Sequence, residues 1–225
     1  MTLRFSVVIP LYNKRPYVRR AVDSVFAQTH RAFELIVVDD GSTDGGHEAL
    51  ASVADARFRL VRQANAGEGA ARNRGVAEAR EDWVAFLDAD DLWLPGHLAE
   101  TARIIEAFPD SGFVATGVRE IADIGELNAV AKTRPNIRRV DYFLEASRGI
   151  GRVHPSNVSV RRAALIEIGG FGPFKAGADL DCWARLAVRY LLALSDRVTS
   201  AYVRGTGGAM EQLWREQSRA SDRSI

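Results

Sequence analysis

The run FSVVI (residues 5–9) is continuously apolar and largely β-branched, the pattern of a strand covered on both faces. Pro10 is expected to end it. Pro16 suits the first turn of a helix, and Val18, Ala21, Val22, Val25 and Phe26 then recur at helical spacing. The same alternation continues down the chain. Strands are predicted at 33–38, 58–62, 83–87 and 113–116. Helices are predicted at 46–54, capped by Thr43 or Asp44, and at 68–80 and 96–107. Residues 118–150 lose the period. Order returns with a strand at 157–161, a helix at 162–168 stopped by Gly169-Gly170-Phe171, an amphipathic helix at about 179–193 and a strand at 197–203. The tail from Glu211 is polar and is expected to be mobile.

Strand–helix–strand alternation with short links indicates an α/β fold with a mostly parallel sheet and helices on both faces. Ligands of such sheets bind outside the carboxyl ends of the strands. Two strands end there in acidic clusters, Asp39-Asp40 and Asp88-Ala89-Asp90-Asp91.

Composition narrows the function classes. The chain has 225 residues, 47% hydrophobic and 26% charged, with a formal net charge of +1. That balance excludes disorder, collagen and coiled coil, and argues against a nucleic-acid partner held by bulk positive charge. There is no repeat and no linker, so one domain is expected. Cys182 is the one cysteine, which excludes an internal disulfide and fits a reducing compartment. The N-terminal apolar run is too short for a signal peptide. The best candidate span, 186–194, is interrupted by Arg189 and falls short of a bilayer. A soluble, cytoplasmic protein is therefore expected. The stretch 132–162 carries eight basic residues against Asp141 and Glu145. It reads as a solvated face, or as a contact for an anionic acceptor or for an anionic membrane leaflet.

Extended backbone puts Asp88 and Asp90 on one face. Carboxylates converging there repel one another unless a cation sits among them, and Mg²⁺ commonly takes one or two carboxylates plus substrate phosphates. The alternative is a strand-end turn rich in Asp. Asp40 and its neighbour Asp39 can accept hydrogen bonds from a base or ribose, or cap the following turn.

Taken together, SVVIPLYN, FELIVVDDGSTDG, NAGEGAARNRG and DWVAFLDADDLWLP resemble, in that order, the nucleotide-binding half of glycosyltransferase family 2. The resemblance is strong over about residues 4–100 and weaker over 153–190. It implies a GT-A fold: a Rossmann-like single domain with a mixed, mostly parallel central sheet. Residues 4–117 would form the nucleotide-sugar half, 118–204 the acceptor side and 205–225 a tail. It implies an inverting transfer of a sugar from a nucleotide-diphospho-sugar to a saccharide or lipid-linked acceptor, in cell-surface polysaccharide or glycolipid synthesis, with Mg²⁺ or Mn²⁺ as cofactor.

The resemblance also assigns roles. Pro10 and Tyr12 fall where the family's first strand meets the nucleoside, and Asp40, beside Asp39, on the acid that contacts the base. Arg72 and Asn73 lie near the nucleotide, and Arg72 is within reach of a phosphate. Asp90 or Asp91 would hold the metal, and Asp88 the ribose or donor sugar. Asp179, after the Gly-Gly-Phe turn, falls on the general base. Two positions depart from the family. Ala178 replaces the usual Glu, and 201–210 lacks the frequent His, leaving Arg204 as a substitute. Asp179 or Asp181 could equally cap its helix.

His154 reads as structural, or as part of the acceptor cleft. A sugar nucleotidyltransferase is a rival reading, disfavoured because Pro10-Leu11-Tyr12-Asn13 stands where that class needs a basic Gly-rich loop. A binding module that has lost transfer is the other rival.

Overall fold

The computed structural model describes residues 2–123, 125–126, 136–147 and 153–207. The expected mobile tail, and residues 132–135 and 148–152 of the basic stretch, lie outside the described residues.

The strands are β1 (Phe5–Leu11), β2 (Phe33–Asp40), β3 (Phe58–Gln63), β4 (Trp83–Phe86), β5 (Leu92–Trp93), β6 (Phe113–Ile121), β7 (Ile137–Val140), β8 (Val158–Arg161) and β9 (Leu192–Val203). The helices are α1 (Arg15–Phe26), α2 (Glu68–Glu78), α3 (His97–Ala107), α4 (Tyr142–Ser147), α5 (Arg162–Glu167) and α6 (Ala178–Ala187). The strands form one nine-stranded mixed sheet in the order β3-β2-β1-β4-β8-β6-β9-β5, with β7 also paired to β9. The run from β3 to β4 is wholly parallel. The antiparallel β8 joins it to β6, and β6 pairs parallel with β9.

Alternation along β1 divides the interior in two. Phe5, Val7, Ile9 and Leu11 pack with Val18, Val22 and Val25 of α1 and Leu98 and Ile104 of α3. Val8, Ile36 and Val38 pack on the opposite face with Ala71 and Val76 of α2 and Trp183 and Leu186 of α6. Gly75 lets α2 lie hard on β1, since a Cβ there would stand 2.3 Å from Val8 Cγ1. Among the described residues no helix is long and apolar enough to cross a membrane.

Several predicted elements shift. Pro10 does not end β1, which runs on to Leu11. β4 pairs with β1 only through Val8, so the missing N–H of Pro10 falls beyond that partner strand. The helix predicted at 46–54 is one 3₁₀ turn, Glu48–Leu50. Gly45 is left-handed at φ 75°, and Asp44 accepts the N–H groups of Gly46 and of Arg15, the first residue of α1, rather than starting a helix of its own. The helix predicted at 179–193 stops at Ala187, because Leu192–Leu194 enter the sheet as the start of β9 beside β6. Elements β5, β7 and α4 were not predicted; all are short, and the two strands are held by β9.

Candidate active site

The carboxyl ends of β1, β2, β3 and β4 lie along one edge. Leu11 is in register with Asp39, Asp39 with Arg62, and Asp40 with Gln63. The first two loops are laced together there. Asn13, a non-glycine residue at φ 51°, donates its N–H to Ser42 Oγ at 3.1 Å and accepts from Thr43 N at 2.8 Å. This turn leaves Tyr12 49% exposed at the edge, while Pro10 stays inside β1.

Asp39 and Asp40 are both buried, on opposite faces of β2. Asp39 accepts from Ser42 N at 2.9 Å and Arg62 Nε at 3.2 Å, with His47 Nδ1 at 3.3 Å. Asp40 accepts from Gln63 Nε2 at 2.7 Å and from the backbone N–H groups of Ala66 and Gly67 at 2.9 Å each. It thereby fixes the entry to α2. Asp39 therefore caps the turn that follows β2, whereas Asp40 binds the distant loop before α2.

Beyond β4 the acidic cluster is a turn, not extended strand, because Asp91 N–H donates to Asp88 O at 3.1 Å. The simple alternation expected for Asp88 and Asp90 does not apply. Instead Asp88 and Asp91 meet His154, all with potential ligand atoms within 4.8 Å of one another. Asp90 turns aside: Lys14 Nζ stands 2.7 Å from Oδ2, and Thr206 Oγ donates to the same atom at 2.6 Å. Asp91 is 1% exposed. It accepts from Ser156 Oγ at 2.5 Å and from Val203 N at 3.0 Å. Ser156 Oγ in turn accepts Asp88 N–H at 3.0 Å. His154 begins the 3₁₀ turn Pro155–Asn157 and accepts Ser156 N–H at its Nδ1.

Arg72 is the buried cation of the site, 2% exposed. Its Nη2 donates to Glu68 Oε1 at 2.6 Å and to Asp88 Oδ1 at 2.7 Å. Its guanidinium lies 5.4 Å from the centre of the Phe171 ring. Next to it, Asn73 exchanges two hydrogen bonds with the backbone of Phe171. That seats the Gly169-Gly170-Phe171 turn against α2 and so places the start of α6. Asp179 lies in the first turn of α6, close enough for its charge to act on Glu68, Arg72 and His154. Asp181 instead binds Arg185, which also holds the carbonyls of Ile168 and Gly170. Ala178 is buried, beside Gly69. Arg204 pairs with Glu120.

The electrostatics fit a cation. Burial raises the Asp91 carboxyl well above its ordinary range, and the charges of Asp88 and Asp90 add to the rise. Burial also pushes Asp88 upward, but the charge of Arg72 and its hydrogen bond lead the opposing effects, which hold Asp88 below its usual value. Burial lowers His154, which favours the neutral imidazole that binds metals. Crowded carboxylates beside an imidazole form a donor set of oxygen and nitrogen atoms that could hold a metal ion. Cys182 is no rival nucleophile: burial pushes its thiol up to about 12.

Sequence reasoning missed Glu68, Lys14, Ser156 and Thr206 and gave His154 no metal role. Glu68 alone carried a local signal, its i,i+4 spacing to Arg72.

Known proteins resemble this chain in sequence and in fold. The model of the family Glycosyl transferase family 2 matches residues 6–169. An uncharacterised glycosyltransferase of Nostoc sp. is 43% identical over 125 residues, 54% of this chain and 37% of that protein. The succinoglycan biosynthesis protein ExoW of Rhizobium meliloti is 43% identical over 111 residues, 47% of this chain and 35% of its own length. The chain thus spans little more than a third of these curated relatives. Staphylococcus aureus TarS 1–349, solved with UDP-GlcNAc, superposes with a TM-score of 0.77 at 23% identity, covering 93% of this chain and 61% of that one. The mannosyltransferase PcManGT of Pyrobaculum calidifontis, solved with GDP-Man and Mn²⁺, gives 0.68 at 23% identity, covering 90% and 58%. These likenesses establish the GT-A fold.

Proposed function

The chain belongs to glycosyl transferase family 2, and we propose that it transfers a sugar from a nucleotide-diphospho-sugar to an acceptor hydroxyl with inversion, in a single displacement. The observation that carries this reading is the convergence of Asp88, Asp91 and His154 beside Arg72 and Asp179 at the carboxyl edge of the parallel strands.

Asp88, Asp91 and His154 would hold a divalent cation, with Asp90 nearby on Lys14. A cation held by these residues would supply positive charge to offset that developing on the departing diphosphate. Tyr12, exposed at the end of β1, would stack on the base. Asp39 and Asp40 would hold the loops that line the nucleoside and offer it their remaining acceptor capacity. Arg72 keeps its proton in every condition of interest, because Glu68 and Asp88 more than offset the effect of burial. It supplies fixed positive charge beside the diphosphate. Asp179 would take the proton of the acceptor hydroxyl as that oxygen attacks the anomeric carbon, since a neutral hydroxyl is a poor nucleophile.

The solved relatives that hold UDP-GlcNAc, or GDP-Man with Mn²⁺, support a nucleotide-sugar donor and a divalent cation. The likeness to a succinoglycan biosynthesis protein supports a role in polysaccharide synthesis, for which a saccharide or lipid-linked acceptor is proposed. Contact with a membrane surface is proposed for the basic stretch around Arg138, Arg139, Arg161 and Arg162.

The test is turnover of UDP- and GDP-sugars with a mixed saccharide and lipid-linked acceptor pool, followed by NMR of the product anomer. Product of inverted configuration is expected. A product of retained configuration contradicts the single displacement. Nucleotide binding with neither transfer nor hydrolysis makes the chain a binding module.

A further inference from the structure

Arg72 divides one nitrogen between two acids. Nη2 donates to Glu68 Oε1 at 2.6 Å and to Asp88 Oδ1 at 2.7 Å. It carries two hydrogens, so both are used. Nε of the same side chain is buried and has no hydrogen-bond partner among the described residues. Glu68 stands in the first turn of α2, one turn before Arg72, with its side chain half-exposed. Among the described residues its carboxylate has no other hydrogen-bond or ion-pair partner. Asp88 belongs to the trio with His154 and Asp91. A cation binding there competes with the guanidinium for the Asp88 carboxylate.

We propose that Glu68 is a positioning residue for the cation site: by sharing Arg72 it limits how firmly the guanidinium holds Asp88, and so leaves Asp88 available to a divalent ion. The inference rests on the reading of Asp88, Asp91 and His154 as cation ligands. The setting of Glu68 supports it. The charges of Arg72, Asp88, Asp179 and Asp90 all act on the Glu68 carboxyl. The residue is thus part of the same charge cluster, not a remote surface acid. An ordinary exposed i,i+4 pair contributes little. Here the partner is a buried guanidinium, and loss of Glu68 leaves Asp88 as the one carboxylate bound to Nη2 among the described residues.

Titration of the nucleotide-free protein with Mn²⁺, followed by electron paramagnetic resonance, tests this. The variants are Glu68→Gln, Glu68→Asp and Asp88→Asn, each checked for a native circular dichroism spectrum. Glu68→Gln is expected to weaken Mn²⁺ binding roughly tenfold, the scale of one charge-assisted hydrogen bond. Glu68→Asp keeps the charge but is one methylene too short to hold Nη2 in this geometry, and it is expected to weaken binding to a similar degree. Wild-type affinity in Glu68→Gln overturns the inference. So does wild-type affinity in Glu68→Asp, which would leave only a charge effect. A wild-type protein that binds no Mn²⁺, or an Asp88→Asn variant that binds it unchanged, overturns the cation reading and this inference with it.

Discussion

The side-chain amide of Asn73 closes a two-way clasp on the backbone of Phe171: Nδ2 donates to Phe171 O at 2.9 Å, and Phe171 N–H donates to Oδ1 at 2.8 Å. Gly170, at φ 71°, lets the turn come this close, since a Cβ there would stand 2.4 Å from Asn73 Oδ1. The clasp joins α2, which carries Arg72, to the segment that leads into Asp179. Asn73→Ala is expected to destabilise the fold by about 2 kcal/mol, at about 1 kcal/mol per hydrogen bond. It should also lower kcat more than it weakens nucleotide binding, because the base loses its fixed position. Urea denaturation and steady-state kinetics read the two effects.

Asp179 is the proposed base. Asp179→Asn removes the proton acceptor while keeping the shape, so transfer is expected to fall by about 10²–10⁴. Nucleotide affinity should persist, since the cation ligands and Tyr12 are untouched. Unchanged turnover would remove Asp179 from the role. In that case its place in the first turn of α6 reduces to a favourable helix-dipole contact.

His97 gives the fold a defined acid sensitivity. It is wholly buried, stacked 4.0 Å from Trp93, with Nδ1 3.0 Å from Thr199 Oγ. Burial pushes its pKa down to about 3. The unfolded chain binds the proton at its ordinary value of about 6.5. The stabilising contribution of neutral His97 is therefore complete above about pH 6.5 and is lost as pH falls toward 3. Between pH 6.5 and 5 the loss amounts to about 1.4 kcal/mol per pH unit at most. Thermal midpoints should fall across that range, and His97→Gln should flatten the fall. A wild-type midpoint that does not move between pH 7 and 5 contradicts this account.

The sheet was legible because its central strands are covered on both faces, so 5–9, 33–38 and 83–87 read as unbroken apolar runs. Elements whose existence depends on distant partners were not legible. The two residues of β5 and the four of β7 are strands only because β9 pairs with them. The run Leu191–Leu194 continues a helical pattern and also suits a strand, and the place beside β6 decides for the strand. The acidic positions of the site were legible from their place at strand ends. Their partners were not. His154 and Ser156 reach Asp91 from more than 60 residues away, and Thr206 reaches Asp90 from 116 away. Nothing local marks such residues, and only the pairing of β8 with β4, and of β9 with β6 and β5, brings them in.

A divalent cation held by Asp88, Asp91 and His154 is proposed to fix a nucleoside diphosphate at the edge of the parallel strands. Calorimetric titration with UDP and with GDP, each with and without Mn²⁺, tests it directly in the wild type and in Asp88→Asn. One of the two nucleotides is expected to bind the wild type when Mn²⁺ is present, with affinity collapsing when the metal is omitted or Asp88 is replaced. Binding that ignores both the metal and Asp88, or no binding of either nucleotide with Mn²⁺ present, would contradict the account.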